Sequence, residues 1–152
     1  MLKRSGVKTM LEAQIYLKQV KLYDTHIDNK VQELDRLKGM ATKVTTSLSL
    51  APGHGSGSQD KLGDAIAKII DLQKEVNQAI DVYVDKKREV CNVIEKIKNP
   101  DQVAVLHKRY IQYKHWEQIA CEMNYTYRNV CYIHGRALQA VEELLKEGAD
   151  HE

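Results

Sequence analysis

The stretch Trp116-Glu-Gln-Ile-Ala-Cys-Glu-Met-Asn-Tyr-Thr-Tyr-Arg-Asn-Val-Cys-Tyr-Ile-His-Gly-Arg-Ala-Leu138 decides how this chain folds. Trp116, Ile119, Ala120 and Met123 recur at three- and four-residue steps, so they share one face of a short helix over His115–Met123. Val130, Ile133, Ala137 and Leu138 do the same on a second helix that begins near Tyr127. Between the two stands Asn124, a residue that tolerates the left-handed backbone a tight turn requires. Thr126 is a good N-cap for the second helix. Ala120 is small where two helices must cross closely, and Met123, Tyr125, Val130 and Ile133 offer apolar contacts that fix a steep crossing angle. These coincident requirements predict a helix-turn-helix.

On the N-terminal side of that segment, Asn99-Pro-Asp101 opens a further helix: proline suits a first turn and Asn99 suits its cap. That helix is expected from Asp101 to about Tyr113, with Val103, Leu106, Tyr110 and Ile111 on one face. The last helix is expected from Tyr127 to about Lys146, with Val130, Ile133, Ala137, Leu138, Val141, Leu144 and Leu145 inward. Residues 99–147 are thus read as a three-helix domain, with an acidic tail over 148–152 after it.

The N-terminal two thirds read differently. One apolar stripe runs through Ala13, Tyr16/Leu17, Val20, Tyr23, Ile27, Val31, Leu34, Leu37, Ala41, Val44 and Leu48. Another runs through Leu62, Ile66, Ile69, Leu72, Val76, Ile80, Tyr83, Val90, Ile94 and Ile97. The joint Ala51-Pro-Gly-His-Gly-Ser-Gly-Ser58 is rich in helix breakers, with Ser58 or Asp60 available to cap the second long helix. The expectation is an all-α protein. A long antiparallel, coiled-coil-like helical hairpin over 1–98, with helices at about 9–48 and 59–98 around a Gly/Ser-rich joint at 51–58, precedes the C-terminal helix-turn-helix domain. Helices about 60 Å long with one apolar face must pack on something. A second copy or a partner protein is expected along the hairpin.

Composition narrows the function. The chain carries no phenylalanine and one tryptophan, so its core is built from Leu, Ile, Val, Ala and Tyr, a mix suited to helix packing. Cys91, Cys121 and Cys131 are odd in number and lack close pairing, which argues against a disulfide framework and for a reducing cytoplasm. No membrane span and no secretory signal are expected. Gly53-His-Gly-Ser-Gly57 follows no strand and lacks the lysine of a phosphate loop. No nucleophile–base pair or paired carboxylates stand out, so no enzyme, no cofactor and no small-molecule substrate are expected. Cys131, His134, Cys121 and His107 lack the close cysteine pairs of a zinc site, and no metal is expected.

Net charge is +2, but the signs are uneven. Lys108, Arg109, Lys114, Arg128 and Arg136 face only Glu117 and Glu122 between His107 and Leu138, while Glu142, Glu143, Glu147, Asp150 and Glu152 dominate the end. A mildly basic patch on a helix-turn-helix points to duplex DNA. Thr126, Tyr127, Arg128, Asn129 and Tyr132 are placed to read base edges, Arg and Asn being suited to guanine and adenine. Lys108, Arg109, Lys114 and Arg136 are placed for phosphates. Trp116, Ile119, Ala120, Met123, Val130 and Ile133 form the expected core of the motif. Five tyrosines from Tyr110 to Tyr132, with Trp116, also allow stacking on single strands, a weaker alternative given their helical spacing.

Leu106-His-Lys-Arg-Tyr-Ile111, Trp116-Glu-Gln-Ile-Ala120, Tyr125-Thr-Tyr-Arg-Asn-Val130 and His134-Gly-Arg-Ala-Leu138 resemble region 4 of sigma-70-type factors. With the Gly-rich joint and the Ala65-Ile-Ala-Lys-Ile-Ile-Asp-Leu72 helix, the chain is similar to small phage-encoded transcriptional regulators of Firmicutes, of the ArpU and RinA types. The resemblance implies promoter DNA binding, contact with host RNA polymerase, and a place in the cytoplasm of a bacterial host. Two other functions stay open on the sequence: a small-terminase-like DNA-packaging subunit, and a coiled-coil adaptor that does not bind DNA.

Overall fold

The computed structural model describes residues 3–50 and 57–149, with side chains described from Met10 onward except that of Ser58. Most of the joint at 51–58, and the tail beyond Ala149, lie outside the described residues. Every regular element among the described residues is helical: α1 (Lys3–Leu50), α2 (Gly57–Glu95), α3 (Pro100–Leu106), α4 (Trp116–Met123) and α5 (Tyr127–Ala149). A π-helical turn, His107–Ile111, succeeds α3 directly.

The local causes are legible at the helix ends. Asn99 is extended, and its side-chain oxygen accepts from the backbone N–H of Asp101 at 2.9 Å and of Gln102 at 3.2 Å. Those are two of the donors a helix start leaves unpaired, and Pro100 has none to leave. α2 is already helical at Gly57, so Ser58 and Asp60 lie inside its first turn rather than ahead of it. Asp60 there complements the helix dipole. The helix expected over 101–113 is interrupted instead. After Leu106 the backbone widens into the π-turn, closed by Gln112 N–H to the His107 carbonyl at 3.0 Å, and Tyr113 then enters the left-handed region at φ 56°. A tyrosine there is disfavoured in isolation, and packing against the core holds it.

Two compact units divide the chain. The first combines residues 1–22 with 83–152. Its main core joins Ala13, Leu17 and Val20 of α1 to Val90 and Ile94 of α2, Ile97, Leu106, Tyr110, and Ala137, Leu138 and Val141 of α5. Leu17, Ile94, Leu106 and Leu138 are among the fully buried side chains, each worth about 1.5–3 kcal/mol of transfer free energy. Tyr16 donates its hydroxyl to Glu89 at 2.9 Å. This core takes residues from both sides of the Asn99-Pro100 break. The second unit, residues 23–82, buries Leu34 and Val76 and carries the ion pair Lys30–Glu75 at 2.5 Å. Ile66 and Ile80, part of the apolar stripe read from the sequence, are 46% and 40% exposed. No described helix is long and apolar enough to cross a membrane.

Candidate nucleic-acid interface

α4 and α5 meet over a small apolar cluster of their own. Ile119 and Ala120 of α4 and Val130 of α5 are buried together with Val105 of α3, and Trp116, Met123 and Ile133 close its edges. The six residues expected at the core of this segment therefore share one cluster. Val105, which completes it, was not among them; it sits one residue before Leu106, so α3 feeds both cores by turning one side chain each way.

The backbone between the helices is set by two residues. Asn124 caps α4 in the left-handed conformation, φ 56° and ψ 38°, with its own N–H on the Cys121 carbonyl at 3.2 Å; Tyr125 N–H reaches the Ala120 carbonyl at 3.0 Å. Both satisfy carbonyls that the end of α4 would leave unpaired. Thr126 then accepts from the Asn129 N–H through Oγ1 at 3.1 Å and so caps α5. Tyr125 departs from its expected apolar role. It is 37% exposed and donates to Asp101 Oδ2 at 2.9 Å, fastening the turn to α3.

Thr126, Tyr127, Arg128, Asn129 and Tyr132 are all exposed, Tyr127 to 50% and Tyr132 to 64%. They form the outer face of the first turns of α5. Arg136 continues that face one turn beyond Tyr132. It lines a cleft of about 180 Å³ with Asn99, Asp101, Gln102, Tyr132 and Ile133.

The remaining basic residues are partly engaged. Glu122 receives Lys108 Nζ at 2.5 Å and Lys114 Nζ at 2.7 Å, and Gln118 adds a bond at 3.2 Å. Hydrogen bonds from the two ammonium groups hold the Glu122 carboxyl down at about 2. Arg109 donates to the Lys114 carbonyl at 2.8 Å and lies over the Trp116 ring at 4.6 Å. Of the four residues expected at phosphates, Lys108, Arg109 and Lys114 thus brace the turn between the π-turn and α4. Among the described residues, Arg128 and Arg136 are left without an ion-pair partner.

Beneath Trp116 lies a buried group that sequence reasoning left out of the core. His134 is 9% exposed, its Nε2 is 2.9 Å from Tyr110 Oη, and the Trp116 ring meets it edge-on at 4.6 Å. Burial pushes the His134 pKa down to about 4, with the Arg109 charge adding to the effect, so the ring is neutral at neutral pH. Its place between Val130 and Ala137 on the inward face of α5 was the available signal. Gly135, next to it, has open surroundings: an added Cβ would meet only Met10 Cε, at 4.0 Å. Among the described residues no three His, Cys, Asp or Glu side chains gather as a metal site would need.

A family profile described as "protein of unknown function (DUF1492)" matches residues 45–144. The chain belongs to the DUF1492 family. No curated protein and no solved structure matches it. The DUF1492 match begins late in α1 and runs through α2, α3, α4 and most of α5. It therefore includes the Asn124 turn, the exposed face of α5 and the Glu122 cluster.

Proposed function

We propose that this DUF1492 chain binds duplex DNA sequence-specifically through α5 and acts as a phage-type transcriptional regulator together with host RNA polymerase. On this reading α4, the Asn124 turn and α5 are a helix-turn-helix and α5 enters the major groove. The observation that carries it is the free outer face of α5: five polar or aromatic side chains, from Thr126 to Tyr132, exposed on a helix start that a fixed turn aims outward. Base edges differ in the major groove, and an arginine and an asparagine in adjacent positions are the side chains that best distinguish guanine and adenine. The start of α5 also attracts a phosphate. Arg136 supplies a second positive charge two turns along. Lys108 and Lys114 contribute less than free lysines would, because Glu122 cancels one of their two charges.

The long helices α1 and α2 are read as the two arms of an antiparallel hairpin. From Tyr16 to Lys30 along α1, the partners on α2 retreat by an equal step, from Glu89 to Glu75. The test is selection of bound sequences from a random duplex pool at stated salt, and then Arg128→Ala on the selected site. Loss of about 1–3 kcal/mol on that site, with weak non-specific binding retained, is the expected outcome. Wild-type affinity in the variant would remove α5 from the role. A further shift of the DNA complex on addition of host RNA polymerase is expected as well.

A further inference from the structure

Six residues apart on an unbroken α-helix, Lys108 and Lys114 would point about 120° away from each other. The π-turn at His107–Ile111 and the left-handed backbone of Tyr113 bring them together instead. Lys114 N–H donates to the Lys108 carbonyl at 2.9 Å, and the Lys114 carbonyl accepts from Arg109 at 2.8 Å, so the backbone of both lysines is fixed. Their ammonium groups converge on one carboxylate. Lys108 Nζ lies 2.5 Å from Glu122 Oε2, and Lys114 Nζ lies 2.7 Å from the same oxygen. Lys114 Nζ is also 2.8 Å from Oε1, which accepts from Gln118 Nε2 at 3.2 Å.

Two ammonium groups that share an oxygen repel each other unless an anion lies between them. Glu122 brings one negative charge against two positive ones, so the cluster stays net positive. It is also within reach of solvent: the Lys108, Lys114 and Glu122 side chains are 24%, 24% and 30% exposed. A phosphodiester carries the same single charge as a carboxylate and likewise presents two free oxygens, so it suits the same ammonium and amide donors. π-turns are rare and concentrate at functional sites; the effect of this one is to pair two cations. We propose that Lys108, Lys114 and Gln118 form a site for a backbone phosphate of duplex DNA, which Glu122 occupies in the free chain as a competing anion. The proposal rests on the DNA-binding reading, in which α4 crosses the phosphate backbone while α5 enters the groove.

Glu122 is then a brake on affinity. In the free chain it holds the two lysines in place; in the complex the phosphate takes both ammonium groups and the carboxylate turns to solvent. Because Glu122 already neutralises one of the two cations, binding displaces fewer counterions from the duplex than two free lysines would. Sequence preference stays with α5, since a phosphate carries no base identity.

Binding of a short random-sequence duplex, measured from about 50 to 200 mM salt, tests this. Glu122→Gln keeps the side-chain shape and removes the charge. It is expected to bind roughly 3- to 10-fold tighter at the low-salt end, with a logarithmic salt slope steeper by about 0.9. Glu122→Ala should show the same gain. Glu143→Gln, an equal change of net charge on the exposed C-terminal half of α5, should show little. Adding Lys108→Ala and Lys114→Ala to Glu122→Gln should abolish the gain. Glu122 variants with wild-type affinity and slope overturn the proposal while leaving DNA binding intact. So does a gain matched by Glu143→Gln, or one that survives the loss of both lysines. If neither the wild type nor Glu122→Gln binds any duplex at the low-salt end, the DNA-binding reading falls and this site with it.

Discussion

His134 is buried beside Tyr110 and Trp116, and that burial, with the Arg109 charge adding to it, disfavours the charged imidazolium. Its pKa of about 4 in the folded chain lies below the ordinary 6.5, so the unfolded chain binds the proton more readily. Stability is therefore full above about pH 6.5 and declines as pH falls toward 4, by roughly 3 kcal/mol in total. Thermal unfolding between pH 7 and pH 4 measures this, and His134→Gln should flatten the slope in that window; an unchanged slope would place the acid sensitivity elsewhere. Glu122 titrates in a separate and lower range. Its carboxyl, depressed by Lys108 and Lys114, holds those lysines from about pH 4.5 upward and releases them only as pH falls toward 2. Neither feature was readable from residue types. A histidine on an inward face and a glutamate near lysines are common, and what distinguishes these is the neighbours that other elements bring to them.

The turn between α4 and α5 is where local chemistry and tertiary structure agree most closely. Asn124 in the left-handed region and Thr126 as a cap are both expected from residue type and both present. Asn124→Gly should leave stability nearly unchanged, while Asn124→Val should cost about 1–2 kcal/mol, since a β-branched side chain clashes in that backbone conformation. The midpoint of urea unfolding reports both, and equal midpoints for the two variants would mean the turn adopts another geometry. α3 is the counterexample. Its start at Asn99-Pro100 is legible, but its end is not: residues 101–113 have continuous helical periodicity, yet the chain widens at His107–Ile111 and turns sharply at Tyr113. Side-chain periodicity carries no record of one extra residue in a turn, because the packing of Tyr110 against His134 and of Leu106 in the core selects it. The apolar stripe of α2 blurs at its edge for a similar reason. Ile66 and Ile80 satisfy helical spacing as well as Ile69 and Val76 do, and only the position of α1 decides which set is covered.

The C-terminal helices do not own their main core. Leu106, Tyr110, Leu138 and Val141 pack on Ala13, Leu17 and Val20 from α1 and on Val90 and Ile94 from α2. A fragment of residues 99–152 should therefore unfold without a cooperative thermal transition, retaining only the Val105, Ile119, Ala120 and Val130 cluster. A sharp transition in that fragment would mean the smaller cluster suffices. Residue order alone is enough for the helical character of the chain, the breaks at Asn99-Pro100 and Asn124, the cap at Thr126 and the apolar face of each helix. Each depends on backbone preference or on periodicity within one element. Which faces meet is settled instead by packing across the molecule. Packing put α1 and α2 into the core under α5, set Glu122 between Lys108 and Lys114, closed Trp116 over His134, and left the Thr126–Tyr132 face of α5 exposed. Burial and charge pairing are properties of neighbours distant in sequence, and no single helix contains them.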